Sequence, residues 1–328
     1  MRRRDFIKAI AGSAAAWPLA ARAQQQAMLV VGWLAFGTSA SDTVSRQGAG
    51  FRRGLNQTGF SEGRNFTIET RYADFQYDRL PELAADLVRR NVAAIFVPGI
   101  PAARVAKAAS QTVPIVFGMG EDPVKEGIVA SLDRPGGNLT GFSYFSNQLI
   151  GKRLELLREA VPKAQTLAFL VQAGHPVTDA DTQEAQRAAG LLGRRLEVLA
   201  LASERDFDAV FATMAERHVD AFTTDSNPFL WDTRAQIIAL AARHRIPAIY
   251  DDRVFPAAGG LMSYGADADD MWYQCGVYVG RILKGEKPGD LPVQQSTKVE
   301  LIINMKTAKM LGITFPLSLL GRADEVIE

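Results

Sequence analysis

The side chains best suited to binding a small molecule stand where apolar segments of the sequence end. Phe36, Phe117 and Tyr250 end three such segments, and Asp122 and Asp225 occupy the same kind of position. Aromatic rings offer flat apolar contact area. A buried aspartate can hold an ammonium group through charge-assisted hydrogen bonds.

Small residues with accessible main-chain amides accompany these side chains. Thr38 and Ser39 follow the first apolar segment, and Gly99 and Gly118 follow or end later ones. Amides and hydroxyls at a helix N-terminus can hold a carboxylate. Together with the aromatic and acidic residues they suit a small zwitterion with an apolar side chain. Taken singly, each glycine or serine is equally well explained by a turn or a helix cap.

Patterns typical of catalysis or metal binding are weak. The chain has three histidines, His175, His218 and His244, and one cysteine, Cys275, which lies in an apolar helical context. The sequence holds no HExxH, CxxC or P-loop pattern. We therefore predict a binding protein without enzyme activity, metal site or cofactor.

The elements that must position the binding residues alternate between strand and helix. The apolar run at 28–36 is typical of a strand buried on both faces. The segment 80–90 carries the apolar stripe of an amphipathic helix. Such alternation predicts α/β architecture with parallel sheets. One strand–helix–strand plan occurs twice and predicts two similar lobes, at 93–97, 102–110 and 114–117 and again at 221–224, 230–243 and 248–250.

The N-terminus has the layout of an export signal. Arg2, Arg3 and Arg4 precede an apolar run at 9–21 that ends in Ala21-Arg22-Ala23. This order predicts a signal at 1–26 that is cleaved after Ala23. Arg3 to Lys8 also resembles the twin-arginine export motif, although an ordinary secretion signal carries similar charges. We expect a soluble periplasmic protein, without a lipid anchor because no cysteine stands at the cleavage site.

The amino-acid composition limits the classes of protein to which the chain can belong. The 328 residues include 37 basic and 36 acidic residues, with 47% hydrophobic and 22% charged residues. This is ordinary globular composition and excludes a disordered chain. The length predicts about two domains. The near balance of charge gives no reason to expect nucleic acid as a partner.

Several short motifs connect the sequence to a known family. The chain resembles the solute-binding components of bacterial ABC transporters, a group related to tryptophan-binding lipoproteins. The motifs that carry the resemblance are Tyr77-Asp78-Arg79-Leu80-Pro81, Asp122-Pro123-Val124, Arg134-Pro135-Gly136-Gly137-Asn138, Pro247-Ala248-Ile249-Tyr250, Gly259-Gly260-Leu261-Met262-Ser263-Tyr264-Gly265 and Gly280-Arg281-Ile282-Leu283-Lys284-Gly285.

The resemblance implies a type I periplasmic-binding-protein fold, with two Rossmann-like lobes joined by three hinge crossings around a ligand cleft. It implies that lobe 1 comprises 27–142 and 257–293 and that lobe 2 comprises 143–256 and 294–328. The hinges are then expected at Gly141, Ser143, Ala257 and Ser296.

The expected ligand contacts come from both lobes. Lobe 1 is expected to supply Phe36, Thr38, Ser39, Gly99, Ile100, Pro101, Ala102, Met119, Asp122 and, from the returning strand, Tyr264. Lobe 2 is expected to supply Gln172, Asp225, Phe229 and Tyr250.

The resemblance implies uptake of an amino acid or an aromatic or branched acid. Hinge closure around the bound solute would present a monomeric protein to a membrane permease with its ATPase. Three alternatives stay open at this point. They are a periplasmic sensor that reports to a receptor, an exported α/β enzyme, and the effector-sensing domain of a repressor.

Overall fold

The computed structural model of the chain describes residues 28–175, 177–296 and 298–328. The predicted export signal at 1–26 and its cleavage site lie outside the described residues. Within the described residues, no helix is long and apolar enough to cross a membrane.

Strands and helices alternate along the first part of the chain, as predicted. They are β1 (Leu29–Ala35), α1 (Asp42–Gln57), β2 (Phe66–Tyr72), α2 (Leu80–Arg89), β3 (Ala94–Pro98), α3 (Ile100–Ala109), β4 (Ile115–Met119) and β5 (Leu139–Ser143).

The same alternation continues to the C-terminus. The elements are α4 (Ile150–Ala160), β6 (Thr166–Gln172), α5 (Thr178–Leu191), β7 (Arg195–Leu201), α6 (Phe207–Glu216), β8 (Ala221–Thr224), α7 (Pro228–Asp232), α8 (Arg234–His244), β9 (Ala248–Tyr250), α9 (Val254–Ala257), β10 (Met262–Ala266), α10 (Ala268–Leu283), β11 (Gln294–Gln295), β12 (Val299–Asn304), α11 (Met305–Leu311), α12 (Leu317–Leu320) and β13 (Glu325–Ile327).

The strands form two sheets, one in each lobe. The lobe 1 sheet has the order β11-β5-β4-β3-β1-β2, and the lobe 2 sheet has the order β13-β12-β10-β9-β8-β6-β7. Five strands of each sheet follow one order, β2-β1-β3-β4-β5 in lobe 1 and β7-β6-β8-β9-β10 in lobe 2. These strands pair in parallel, whereas β10 and β12 are antiparallel. The predicted repetition of one α/β plan is therefore confirmed.

The assignment of 257–266 to lobe 1 is wrong. Met262 and Ser263 pair in parallel with Ile249 and Tyr250, so β10 is an interior strand of the lobe 2 sheet. Ala257 ends α9 inside lobe 2 and not at a crossing. The second crossing lies instead between β10 and α10. There the Asp267 side chain accepts hydrogen bonds from the amides of Asp269 and Asp270 and begins the helix.

The placement of 294–295 in lobe 2 is also wrong. Gln294 and Gln295 pair in parallel with Phe142 and Ser143, which extends the lobe 1 sheet by β11. The first and third crossings are thus side by side, because the Ser296 amide donates to the Ser143 carbonyl over 3.0 Å.

A glycine-lined contact between α1 and α10 returns the chain to lobe 1. A Cβ on Gly54 would overlap the carbonyl oxygen of Tyr273, and a Cβ on Gly276 would overlap that of Phe51. The two helix backbones therefore approach more closely than any larger residue permits. The contact fixes α10 against lobe 1 although the preceding strand belongs to lobe 2.

We expect Gly54→Ala to lower the free energy of unfolding by about 1–3 kcal/mol, because the added methyl group forces the two helices apart. Urea titration followed by circular dichroism measures the change. Gly190→Ala is the matched control in α5, where a Cβ meets nothing within 4 Å. Its stability should be unchanged or slightly higher. Equal stability of both variants would show that the α1–α10 contact can relax without cost.

Candidate ligand-binding site

A cavity lies between the lobes at the carboxyl ends of the strands, where open α/β sheets bind ligands. We call it the aromatic cavity. Its volume is about 40 Å³. It is lined by Phe36, Gln47, Tyr77, Pro98, Gly99, Ile100, Pro101, Ala102, Gly118, Met119, Gly120, Glu121, Tyr144, His175, Ser226, Pro228, Trp231 and Trp272.

The two tryptophans of the cavity are held by different means. The Trp231 indole N–H donates to the Asp251 carboxylate, at 3.0 and 3.2 Å from its two oxygens. Trp272 stands near the start of α10, in space left by two glycines. A Cβ on Gly118 would overlap the indole ring, and a Cβ on Gly50 would press on the Trp272 Cβ. Both indoles are therefore fixed before any ligand binds.

The lobe 1 wall adds a stacked ring pair and a helix N-terminus. The rings of Phe36 and Tyr77 stack with centroids 4.2 Å apart. Gly99, with φ of +86°, turns the chain from β3 into α3 and offers no side chain as a cap. Pro101 has no N–H, so the first-turn amides of Ile100 and Ala102 remain as donors beside the cavity. Such a helix terminus suits a carboxylate.

The charge of the cavity wall is acidic. Among the described residues, no lysine or arginine lines the aromatic cavity, whereas Glu121 does. Burial, with a smaller effect of the Asp181 carboxylate, raises the pKa of Glu121 to about 7. Burial lowers the pKa of His175 to about 4, so its imidazole is neutral at pH 7.

A group of buried charges stands behind the lobe 2 wall. Arg153 in α4 is 1% exposed, and its guanidinium group lies within electrostatic range of the carboxylates of Asp251 and Asp225. Burial raises the pKa of both carboxyls and lowers that of Arg153. The Asp225 carboxylate accepts from the Gln172 amide at 3.3 Å. These charges partly compensate one another beneath Ser226 and Trp231.

The structure brings six of the predicted contact residues to the cavity lining, namely Phe36, Gly99, Ile100, Pro101, Ala102 and Met119. Gln172 lies one contact away, since its side-chain oxygen accepts from the Tyr77 hydroxyl over 3.0 Å. Asp225 is buried in the charged group behind the wall.

The other predicted residues do not reach the aromatic cavity. Phe229 stacks on Phe207 and also packs on Phe75 of lobe 1, whereas Tyr250 stacks on Phe255 with centroids 4.1 Å apart. Both rings are buried in the hydrophobic core and neither lines the aromatic cavity. Tyr264 pairs with Leu301 in the lobe 2 sheet and was wrongly placed on the lobe 1 wall.

Thr38, Ser39 and Asp122 also lie elsewhere. Thr38 and Ser39 form the turn before α1, where the Thr38 hydroxyl accepts from the Ala40 amide. Asp122 uses one carboxylate oxygen to accept from the amides of Val124 and Lys125. It lines a neighbouring cavity and not the aromatic one.

Several lining residues were not predicted as contacts. Two carried usable signals, since Tyr77 opens one of the family motifs and Glu121 precedes another. Trp231 follows the Asn227-Pro228 helix start, in which the Asn227 side chain accepts from the Phe229 amide. Gln47 and Trp272 stand inside helices, and nothing in their own neighbourhood marks them.

The fold and the cleft define a two-lobed binding protein of the type I periplasmic class. The family model for ABC transporter substrate binding protein matches residues 39–327, and the chain belongs to this family of binding proteins rather than to a class of enzymes. The fold and the family predicted from the sequence are thus confirmed.

Known proteins resemble the chain over most of its length. A tyrosine-binding protein of Clostridioides difficile is 24% identical over 264 residues, which is 80% of this chain and 76% of that protein. A conserved domain protein from Vibrio cholerae superposes with a TM-score of 0.82 at 25% identity, covering 91% of this chain and 99% of that one. An ABC domain from Streptococcus pneumonia in complex with L-Trp has a TM-score of 0.80 at 24% identity, over 92% and 100% of the two chains.

The raised pKa of Glu121 has a consequence for stability. Folding takes up a proton at this carboxyl between its ordinary pKa of 4.5 and about 7. Its contribution to stability is therefore present at low pH and is lost as the pH rises toward 7 and above. We expect Glu121→Gln to raise the melting temperature at pH 8 and to change it little at pH 5.

Thermal unfolding of both proteins across this pH range tests the expectation. Glu184→Gln is the control, because Glu184 is paired with Arg187 at 2.6 Å on the surface and should shift the melting temperature little at either pH. A lower melting temperature of Glu121→Gln at pH 8 would show that the ionised carboxylate stabilises the fold.

Proposed function

We propose that the protein is the solute-binding component of an ABC importer. In this proposal it binds one amino acid, or an aromatic or branched acid, between its lobes. The observation that carries the proposal is the aromatic cavity, which is lined by both a helix N-terminus and two fixed indole rings. The names of the tyrosine-binding relative and of the L-Trp complex support the same solute class.

The chemistry of the cavity suggests how such a solute is oriented. Its carboxylate would accept from the amides of Ile100 and Ala102 at the start of α3. Its apolar side chain would lie against Trp231 and Trp272. The buried Gln47 side chain, which is 3% exposed and lines the cavity, would supply a further polar contact.

Binding would require movement of the lobes. Small-molecule sites usually measure roughly 300–1,000 Å³, whereas this cavity measures about 40 Å³. The lobes approach through direct contacts, such as the Thr43 amide donating to Asp232 over 2.8 Å and Arg46 lying 3.7 Å from Asp252. Separation at the crossings after β5, β10 and β11 would admit the solute, and closure would retain it.

The closed form would be the signal to the transporter. A bound solute favours closure only if it binds the closed form better than the open form. We propose that the mature protein acts as a periplasmic monomer after removal of the signal at 1–26. It would deliver its solute to a membrane permease that is driven by an ATPase.

We expect a saturable thermal shift of the mature protein with one class of amino acids. A solute at ~100 times its dissociation constant should stabilise the fold by about 2.7 kcal/mol. The panel is L-tyrosine, L-tryptophan, L-phenylalanine and L-leucine, with glucose and adenosine as controls. A shift with glucose or adenosine, and none with any amino acid, would overturn the proposed solute class.

We expect Gln47→Ala to weaken binding of the shifting amino acid about tenfold, because it removes a buried polar contact to the solute. Isothermal titration calorimetry gives the dissociation constant. Gln57→Ala is the matched control, since Gln57 is exposed at the end of the same helix. Equal affinities of the two variants would place the solute away from α1.

A further inference from the structure

A second, larger cavity adjoins the aromatic cavity. It has a volume of about 590 Å³ and lies between the loop at 120–126 of lobe 1 and α5 of lobe 2. We call it the acidic cavity, because five carboxylates line it, those of Glu121, Asp122, Glu126, Asp181 and Glu184. Glu121 also lines the aromatic cavity. This side chain therefore stands at the boundary of the two.

Most of the carboxylates around Glu121 already have an ion-pair or hydrogen-bond partner. Glu126 pairs with Arg104 at 2.5 Å, and Glu184 pairs with Arg187 at 2.6 Å. Asp122 accepts from two amides of its own turn. Lys125 and Arg187 are the cations that line the acidic cavity within the described part of the chain. The carboxylates outnumber them, so the local field favours a cationic group over an anionic one.

Glu121 differs from these neighbours. The residue is 8% exposed, and its Oε2 atom is buried without a hydrogen-bond partner among the described residues. Its main chain is fixed, because the Ser143 hydroxyl donates to the Glu121 carbonyl oxygen over 2.6 Å. A buried polar atom without a partner is costly and rare in proteins. A group that donates to Oε2 from the cavity side would remove this cost.

Two groups in the lining of the aromatic cavity call for opposite charges. The amides at the start of α3 are donors and suit an anion, whereas the carboxylate of Glu121 is an acceptor and suits a cation. An ammonium group carries three donors and a positive charge, and it fits Oε2 on both counts.

We propose that Glu121 is the residue that binds the ammonium group of the solute. The substrate class is then restricted to amino compounds, and simple aromatic or branched acids are excluded. This inference rests on the proposed function, because it takes the aromatic cavity as the solute site. It narrows the solute from an amino acid or acid to an amino acid.

The test compares each amino acid with its deaminated counterpart by calorimetry at pH 8. The pairs are L-tyrosine with 3-(4-hydroxyphenyl)propionate, L-tryptophan with indole-3-propionate, L-phenylalanine with 3-phenylpropionate, and L-leucine with 4-methylpentanoate. We expect the amino acid that binds to do so at least 30-fold more tightly than its counterpart. Glu121→Gln should weaken amino acid binding by on the order of 30-fold and leave that of the counterpart within threefold.

Glu184→Gln is the matched control, since Glu184 lines the acidic cavity but is held by Arg187. Its affinity for the amino acid should stay within threefold of the wild type, and circular dichroism confirms that both variants fold. Equal affinity of wild type for an amino acid and its counterpart would overturn the role of Glu121 and leave the proposed function standing. An amino acid affinity of Glu121→Gln equal to that of the wild type would likewise overturn the role of Glu121 and leave the proposed function standing. Binding of neither member of any pair would overturn the proposed function together with this inference.

Discussion

The close contact between α1 and α10 is the constraint on which the binding cleft depends. The chain leaves the lobe 2 sheet after β10, and the next helix packs on lobe 1 because Gly54 and Gly276 let the two backbones touch. This contact sets the second crossing between the lobes. It also places Trp272 next to the helix that carries Gln47. One apolar helix pair thus determines both the connection of the lobes and one wall of the cavity.

The lobe 2 wall of the cavity depends on buried ionisable residues and not on close packing of two helices. Trp231 is oriented by Asp251, whose carboxylate lies with Asp225 near the buried guanidinium of Arg153. Removing one member of such a group leaves the other charges uncompensated in an apolar setting, which costs far more than the pair contributes. The lobe 2 wall therefore depends on a specific set of ionisable residues, whereas the helix pair of the lobe 1 wall depends on the close approach that Gly54 and Gly276 permit.

The sequence predicted the strands well because apolar runs such as 28–36 have few other interpretations. Gly99–Ala102 lie in the cavity lining, and their contact with a solute stays a prediction. The sequence could not decide which of two neighbours faces the cleft. The pattern favours Asp122 as a contact, but its carboxylate accepts from the amides of its own turn, and the preceding residue, Glu121, is the one in the lining of the aromatic cavity. Tyr250 was assigned to the cleft from its strand-end position, yet its ring stacks on Phe255 in the core. The local sequence pattern predicts where a strand or helix ends along the chain. The direction in which a side chain points there depends on packing against segments that are distant in the sequence.

Closure of the cleft and recognition of charge are linked by this geometry. Contacts between the lobes flank the aromatic cavity, as between Tyr77 and Gln172 and between Tyr144 and Ser226. The proposed closure of the lobes would withdraw water from the amides of α3 and from Glu121 at the same time. In the proposed binding mode, a solute that carries only one charge would leave the other of these two groups desolvated without a partner, which would oppose closure. A zwitterion would satisfy both groups and so stabilise the closed form over the open one, and this difference is what the proposed transporter would detect.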